Sequence, residues 1–256
     1  MAPLFTVVIP ARLGSTRLPR KPLAEIAGRP LVVHVWERAR ASGAARVVVA
    51  TDHEAVAEAV ARAGGEALLT AADHPSGSDR VLEAVRRLDL PPEAVVVNVQ
   101  GDEPLVPPRV IAQLAAALAA DSGIAAATVA EPLASREALW DPNVVKVVRD
   151  ARGFALYFSR APIPWWRDRP EAPPVEWPAA ARPLRHLGLY AYRREALERF
   201  VGWPPAPLES LECLEQLRFL HHGVPLLVVD ACEAVPAGVD TPADLERVRR
   251  LLEGAR

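Results

Sequence analysis

Three short runs, Phe5–Ile9 (FTVVI), Arg46–Ala50 (RVVVA) and Val95–Val99 (VVVNV), are almost wholly apolar and show no alternation of polar and apolar residues. A strand with one wet face alternates. A strand that is apolar throughout needs cover on both faces, which is the environment of a parallel sheet between two layers of helices. Helix-like segments separate these runs. Pro30–Ser42 stops at Gly43 and His53–Ala63 at Gly64-Gly65, a third helix follows the Asp73–Ser78 loop as far as Leu88, and Pro107–Ala120 makes a fourth. Ala67–Leu69 reads as a further short strand. The alternation predicts an α/β fold with a Rossmann-like, mainly parallel sheet flanked by helices. Right-handed crossovers then line the loops that follow the strands along one edge, where ligands bind.

The second half changes character. Ile124–Val129, Val144–Val148 and Phe154–Phe158 read as strands with a more antiparallel spacing, followed by Leu187–Tyr192, a helix over Leu208–Leu220, a strand over Pro225–Val229 and a closing helix over Ala243–Leu252. Between them, Pro162–Pro183 is rich in Pro, Trp and Arg and has neither period. Two readings of Trp165, Trp166 and Trp177 stand: they meet a partner subunit or substrate, or they pin a long loop to its own body. The expected organisation is a single domain over residues 1–256, with a smaller mixed α/β lobe or flap over about 130–205 that contributes to acceptor binding and dimerisation.

Composition narrows the function. The 256 residues are 50% hydrophobic, which argues against disorder, and the formal net charge of −2 argues against a general nucleic-acid binder. No stretch approaches the length of a membrane span, and no basic-then-apolar amino terminus suggests a signal peptide. Cys213 and Cys232 make neither a disulfide framework nor a C-x-x-C site, which fits a reducing, cytoplasmic setting. There is no P-loop, no G-x-G-x-x-G turn, no zincin helix and no hydrolase elbow. The missing glycine fingerprint disfavours a nicotinamide-dependent oxidoreductase.

The loop after Phe5–Ile9, PARLGSTRLPRKP, concentrates Arg12, Arg17, Arg20 and Lys21 around Gly14-Ser15-Thr16. On the binding edge of a sheet, that set suits a polyphosphate, with Arg giving bidentate contacts and Lys a point charge. Lys21 and Lys146 are the chain's only lysines. Asp102, in VQGDEP, emerges where the Val95–Val99 strand runs out, so it can hold Mg²⁺, a cation that takes one or two carboxylates plus substrate phosphates. The alternative is a turn aspartate bonded to its own backbone. In GVDTPAD, Thr241 and Asp244 fit a capping box with Pro242 at the first helical position, which leaves Asp240 free to reach a metal as a second carboxylate, a reading that stands even with a purely structural one. Three segments remain for an acceptor pocket. His186, Gly188 and Tyr190 are expected on one strand face, Glu212 and Gln216 one helical turn apart with Leu211, Leu214 and Leu217 on another side, and Arg160 where it could meet a carboxylate. Each also has a plain structural reading, as a satisfied core histidine or the wet face of a helix. The tandem His221-His222 suits a helix carboxyl end.

Taken in order, PARLGSTRLPRKPL, ATDHE, SGSDR, NVQGDEP, VKVV, ALYFSRAPIP, RHLGLYAYR, PLESLECLEQLR and GVDTPADLERVR resemble the 3-deoxy-manno-octulosonate cytidylyltransferases, the CMP-Kdo synthetases, from about Val7 to Arg249. The resemblance implies the nucleotide-diphospho-sugar transferase fold and a homodimeric, Mg²⁺-dependent enzyme. Its reaction turns CTP and Kdo into CMP-Kdo and pyrophosphate for lipopolysaccharide synthesis. It places Arg12, Ser15 and Lys21 in a CTP loop, Ser76, Gly77 and Arg80 in a second nucleotide loop, and Asp102 and Asp240 on Mg²⁺. Gln100 then lies between nucleotide and sugar, with Arg160, His186, Tyr190, Glu212 and Gln216 on the sugar side. Ser78 stands where Thr is usual and Asp79 where Glu is usual, both chemically mild. The remaining alternatives are a cytidylyltransferase for 8-amino-Kdo or a sialic acid, and a non-catalytic nucleotide-binding protein of the same fold.

Overall fold

The computed structural model describes residues 3–15 and 17–254; Thr16 of the first loop lies outside them. The first half contains β1 (Phe5–Pro10), a small hairpin of β2 (Glu25–Ile26) and β3 (Arg29–Pro30), α1 (Leu31–Ala41), β4 (Arg46–Thr51), α2 (Glu54–Arg62), β5 (Glu66–Leu69), α3 (Gly77–Arg87), β6 (Val95–Asn98) and α4 (Pro108–Ala119). The second contains β7 (Ala126–Pro132), α5 (Arg136–Trp140), β8 (Lys146–Arg149), β9 (Ala155–Ser159), β10 (Leu184–Arg193), α6 (Arg194–Gly202), α7 (Pro207–Glu212), α8 (Leu217–His221), β11 (Leu226–Asp230) and α9 (Pro242–Glu253).

Among the described residues nine strands form one sheet, with the main path β11-β7-β10-β6-β1-β4-β5; β8 joins β10, and β9 joins β8. β1 pairs in parallel with both β4 and β6, β4 with β5, and β11 with β7. β10 is antiparallel to β6 and to β7, so β7 runs with the first-half strands and the antiparallel character expected of it belongs to β8, β9 and β10. The apolar runs have the predicted cause. In β1, Val7 and Ile9 face the core under α1, α4 and α9, while Val8 faces the core under α3, α6 and α8, and all three are fully buried. The order β5-β4-β1-β6 reverses between β1 and β6, and the crevice at that reversal is where a doubly wound sheet binds ligands.

Two expectations need correction. β10 is longer than expected and carries a bulge: His186 faces Ala130 and Tyr190 faces Thr128, so four residues of β10 span two of β7, with Gly188 at φ +69°. Two extra residues preserve side-chain parity, so His186 and Tyr190 still share a face, with ring centroids 5.4 Å apart. The helix expected over Leu208–Leu220 is two short helices. The chain turns at Cys213, which has φ +50°. Glu212 therefore ends α7 while Gln216 precedes α8, and they are not one turn apart on a common helix. Leu214 and Leu217 are buried, but Leu211 is 81% exposed and does not share their side. The break lets Arg218 close on Glu209 through Nε (2.9 Å) and Nη2 (2.5 Å). On a continuous helix nine residues would separate them by about 13 Å along the axis.

The Pro/Trp-rich segment has short 3₁₀ turns at Pro174–Glu176 and Ala179–Ala181 and a small core of its own. Leu133, Leu139, Ala172 and Trp177 are buried together, and Trp166 packs edge-on to Trp177 with centroids 5.3 Å apart. Those two tryptophans pin the loop to its own body. Trp165 sits against Trp140 at 5.9 Å, and both are half exposed.

Candidate active site

At the switch point the loops after β1, β5 and β6 enclose a cavity of about 330 Å³. Gly101 lets two of them meet: a Cβ there would lie 2.7 Å from the Pro10 carbonyl oxygen, closer than side chains approach backbone. The β1 loop is anchored by the Ala11 N–H on the Ala50 carbonyl (2.8 Å) and the Leu13 N–H on Asp52 Oδ1 (2.9 Å). It brings Arg12, Ser15 and Arg17 to the cavity wall before Arg20, at φ +56°, turns the chain into the 3₁₀ helix Lys21–Leu23. From β5, Ser76 caps α3 by accepting the Ser78 and Asp79 N–H groups, which leaves Gly77 at the cavity face of the helix amino end, an electropositive position. Arg80 is buried; it donates to Thr70 Oγ1 (2.5 Å) and the Ala71 carbonyl (3.1 Å) and lies 3.6 Å from Asp52.

The last member arrives from far along the chain. The capping box of Thr241 and Asp244 forms as expected and starts α9. The turn before it rides on the β6 loop, with the Val239 N–H on the Asp102 carbonyl at 2.8 Å. Gly238 has no room for a Cβ, which would sit 3.0 Å from that same oxygen. Asp240 is thereby delivered beside Asp102, and the Lys21 ammonium donates to both, at 2.6 Å to Asp102 Oδ2 and 3.0 Å to Asp240 Oδ1. Burial pulls the Lys21 pKa down, but the two carboxylates outweigh it and the net shift is upward. Burial, with Asp102 adding to it, pushes the neighbouring Glu103 carboxyl up to about 8.

Nine of the predicted residues line this one cavity: Arg12, Ser15, Lys21, Ser76, Gly77, Arg80, Gln100, Asp102 and Asp240. The five sugar-side candidates do not line it; they form a second region behind α3. His186 is buried, and burial lowers its pKa to about 3, so its ring is neutral. Its Nε2 lies 2.8 Å from Thr128 Oγ1, whose single proton is used on the Leu189 carbonyl at 2.6 Å, so the imidazole is the Nε2–H tautomer. Arg160 meets the Glu212 carboxylate with its backbone N–H (2.9 Å). Its guanidinium goes instead to the carbonyls of Glu212 (2.6 Å), Pro142 (2.8 Å) and Cys213 (3.3 Å). Gln216 Nε2 is buried without a hydrogen-bond partner, as is Oδ1 of Asn98.

Sequence reasoning passed over Glu215, the residue that joins the two regions. Its carboxylate lies 2.8 Å from Ser76 Oγ and 3.0 Å from Ser78 Oγ at the amino end of α3, and burial raises its pKa. Its place in ECLEQ, beside Gln216, was the available signal. Asp52 was likewise passed over, although it follows β4 on the binding edge within the quoted ATDHE.

The donor set fits a hard cation with substrate ligands. Two carboxylates already converge on one positive charge, and among the described residues no group of three or more His, Cys, Asp or Glu makes a complete metal site. Mg²⁺ is a cation that takes one or two carboxylates and draws the rest from phosphates and water. Among the described residues no helix is long and apolar enough to cross a membrane.

Comparison with known proteins bears on the same cavity. A family model described as cytidylyltransferase matches residues 6–227. The chain is 56% identical over 253 residues to a 3-deoxy-manno-octulosonate cytidylyltransferase of Pseudomonas fluorescens, covering 99% of this chain and 100% of that one. A protein of the same name from Halorhodospira halophila is 56% identical over 254 residues, with 99% of each chain covered. The solved structure of a CMP:2-keto-3-deoxy-manno-octonic acid synthetase complexed with CTP superposes with a TM-score of 0.89 at 41% identity, covering 99% of this chain and 100% of that chain. A cytidylyltransferase from Leptospira borgpetersenii, at 16% identity and a TM-score of 0.63 over 98% of this chain and 87% of that one, shares the fold.

Proposed function

The chain belongs to the 3-deoxy-manno-octulosonate cytidylyltransferase family, and we propose that it transfers CMP from CTP to 3-deoxy-D-manno-octulosonate (Kdo), releasing pyrophosphate. The observation that carries this reading is the convergence of Lys21, Asp102 and Asp240 at the sheet's switch point, within a cavity rimmed by Arg12 and Arg17. The anomeric hydroxyl of Kdo attacks the α-phosphorus in line, and the bond to the β-phosphate oxygen breaks as the new P–O bond forms. Such a displacement needs positioning and charge neutralisation rather than a covalent nucleophile.

Each residue has a role that its placement supports. Arg12, Arg17 and Lys21 draw off charge on the departing pyrophosphate, while Ser15 and the amino end of α3 at Ser76 and Gly77 offer donors to the nucleotide. Arg80 fixes α3 to the β5 loop. Asp102 and Asp240 are the residues that would hold Mg²⁺. When bound there, Mg²⁺ supplies Lewis acidity at the α-phosphate and lowers the pKa of the attacking hydroxyl. Gln100 lies between the nucleotide and the acceptor. We assign the acceptor to the side of the site next to His186, Tyr190, Arg160, Glu212 and Gln216, where the buried partnerless Gln216 Nε2 is a donor awaiting an acceptor atom.

The same reading makes the protein a cytoplasmic homodimer that feeds lipopolysaccharide synthesis, with the lobe over about 130–205 contributing to acceptor binding and to the dimer. The half-exposed pair Trp140 and Trp165 lies in that lobe and supports its use as a contact surface. The test is pyrophosphate release from CTP and Mg²⁺ with Kdo, 8-amino-Kdo or N-acetylneuraminic acid offered separately. Release with Kdo far above the others is expected. Preference for another acid would keep the mechanism and discard the sugar. No release from folded protein that binds CTP would leave a binding protein.

A further inference from the structure

We propose that Lys21 is an internal counter-ion that occupies the two carboxylates until the nucleotide arrives, so that a divalent cation enters this site with the nucleotide and not before it. The inference rests on the reading of Asp102 and Asp240 as cation ligands. An ammonium group has three donors, and all three of Lys21 are engaged: with Asp102 Oδ2 at 2.6 Å, Asp240 Oδ1 at 3.0 Å and the Val239 carbonyl at 2.9 Å. Its charge therefore lies against the same oxygens that a hard cation would have to use. Arg17 Nη2 adds a further cation 3.2 Å from Asp240 Oδ1. Both carboxylates are already neutralised by the chain itself, and a second cation placed among them would meet repulsion from the first.

The charge of the whole cavity points the same way. Its wall carries Arg12, Arg17, Lys21 and Arg80 against Asp102 and Asp240, and Asp52 meets Arg80 from behind at 3.6 Å, which leaves one positive charge in excess. A divalent cation entering alone would enlarge that excess. The complex of a nucleoside triphosphate with one divalent cation is a dianion, and it offsets the excess. The triphosphate also gives Lys21 new oxygens to donate to, which frees the carboxylates. By linkage, whatever factor the nucleotide adds to cation affinity, the cation adds to nucleotide affinity.

Mn²⁺ is the probe, its free concentration read by electron paramagnetic resonance in the absence of nucleotide. Lys21→Met is expected to bind Mn²⁺ about tenfold more tightly than the wild type. Lys21→Gln should behave similarly, and adding Asp102→Asn to Lys21→Met should abolish the gain. Circular dichroism and a thermal melt select the variants that are folded. Equal or weaker binding by a folded Lys21 variant overturns the proposal. So does a gain that survives Asp102→Asn, because the ion would then sit elsewhere. Pyrophosphate release by the wild type from CTP and Kdo is measured alongside. Release without the Mn²⁺ gain removes the counter-ion role and leaves the reaction standing, whereas absent release removes the functional reading itself.

Discussion

The crevice between β1 and β6 and the region around α7 and α8 both hold a concentration of charged and polar side chains, yet they handle them in opposite ways. In the crevice the cations outnumber the carboxylates, and Arg12, Arg17 and Lys21 line open space. Around α7 and α8 the charges close on one another or on backbone. Glu209 pairs with Arg218, Glu212 takes the Ser159 hydroxyl at 2.6 Å and the Arg160 N–H, and the Arg160 guanidinium spans three carbonyls. Lys146, fully buried, donates to the carbonyls of Asp141 (2.9 Å), Val144 (2.5 Å) and Arg160 (2.6 Å) and so holds Arg160 from below. An unbalanced cluster is built to receive a ligand's charge; a balanced one is built to hold a shape. The second region is therefore held in one shape by its own charges, and the acceptor role proposed for it is one of position.

The largest test of this contrast is Asp102→Asn, which is expected to cut pyrophosphate release about a thousandfold while the near-ultraviolet circular dichroism stays unchanged. Turnover close to wild type would place the chemistry outside the crevice. Arg218→Ala should do the reverse, costing about 3 kcal/mol of stability because it strands the buried Glu209 carboxylate, with CTP affinity preserved. Urea unfolding checks it, and a negligible cost would end the claim that this region is held by its own charges. A smaller effect comes from pH. The folded His186 titrates near 3, below its unfolded value of about 6.5, so its contribution to stability is present above pH 6.5 and is lost as pH falls toward 3. The loss is at most about 1.4 kcal/mol per pH unit, and His186→Asn should flatten that part of the curve in parallel unfolding titrations. Smallest of all, Glu212→Gln should raise the KM for Kdo a few-fold and leave that for CTP unchanged. A matched rise in both would show that the two regions are not separable.

The first half of this fold was legible because its central strands are apolar on both faces and its first two helices end at glycines, signals that belong to single segments. The break at Cys213 was not. A left-handed residue that is not glycine leaves no mark in composition, and the leucine spacing reads smoothly across it. Gly188 was read as one more residue of a regular strand face, and the sharing of that face by His186 and Tyr190 survives only because the bulge has two residues. Within the site, the cationic loop and Asp102 could be placed from the strands they follow. Asp240 could only be offered as a candidate second carboxylate, since it meets Lys21 across 219 residues of chain, and the motif resemblance was needed to prefer it over a structural role. Glu215 was hidden by helical periodicity, which reads an acid on an amphipathic segment as its wet face.

β10 also sets the order in which the molecule can be completed. β6 ends at Asn98, but its neighbour on the far side begins at Leu184, and that neighbour alone joins the block β5-β4-β1-β6 to the pair β7-β11. As the chain leaves the ribosome, the first block waits with the edge of β6 open until nearly three quarters of the protein has been made. Open strand edges invite wrong partners, and contacts this distant in sequence form slowly. The seating of that one reversed strand is then the long-range step of completing the sheet, and a chain cut short before Leu184 keeps the block β5-β4-β1-β6 and the β8-β9 hairpin but leaves β7 without either of its strand partners.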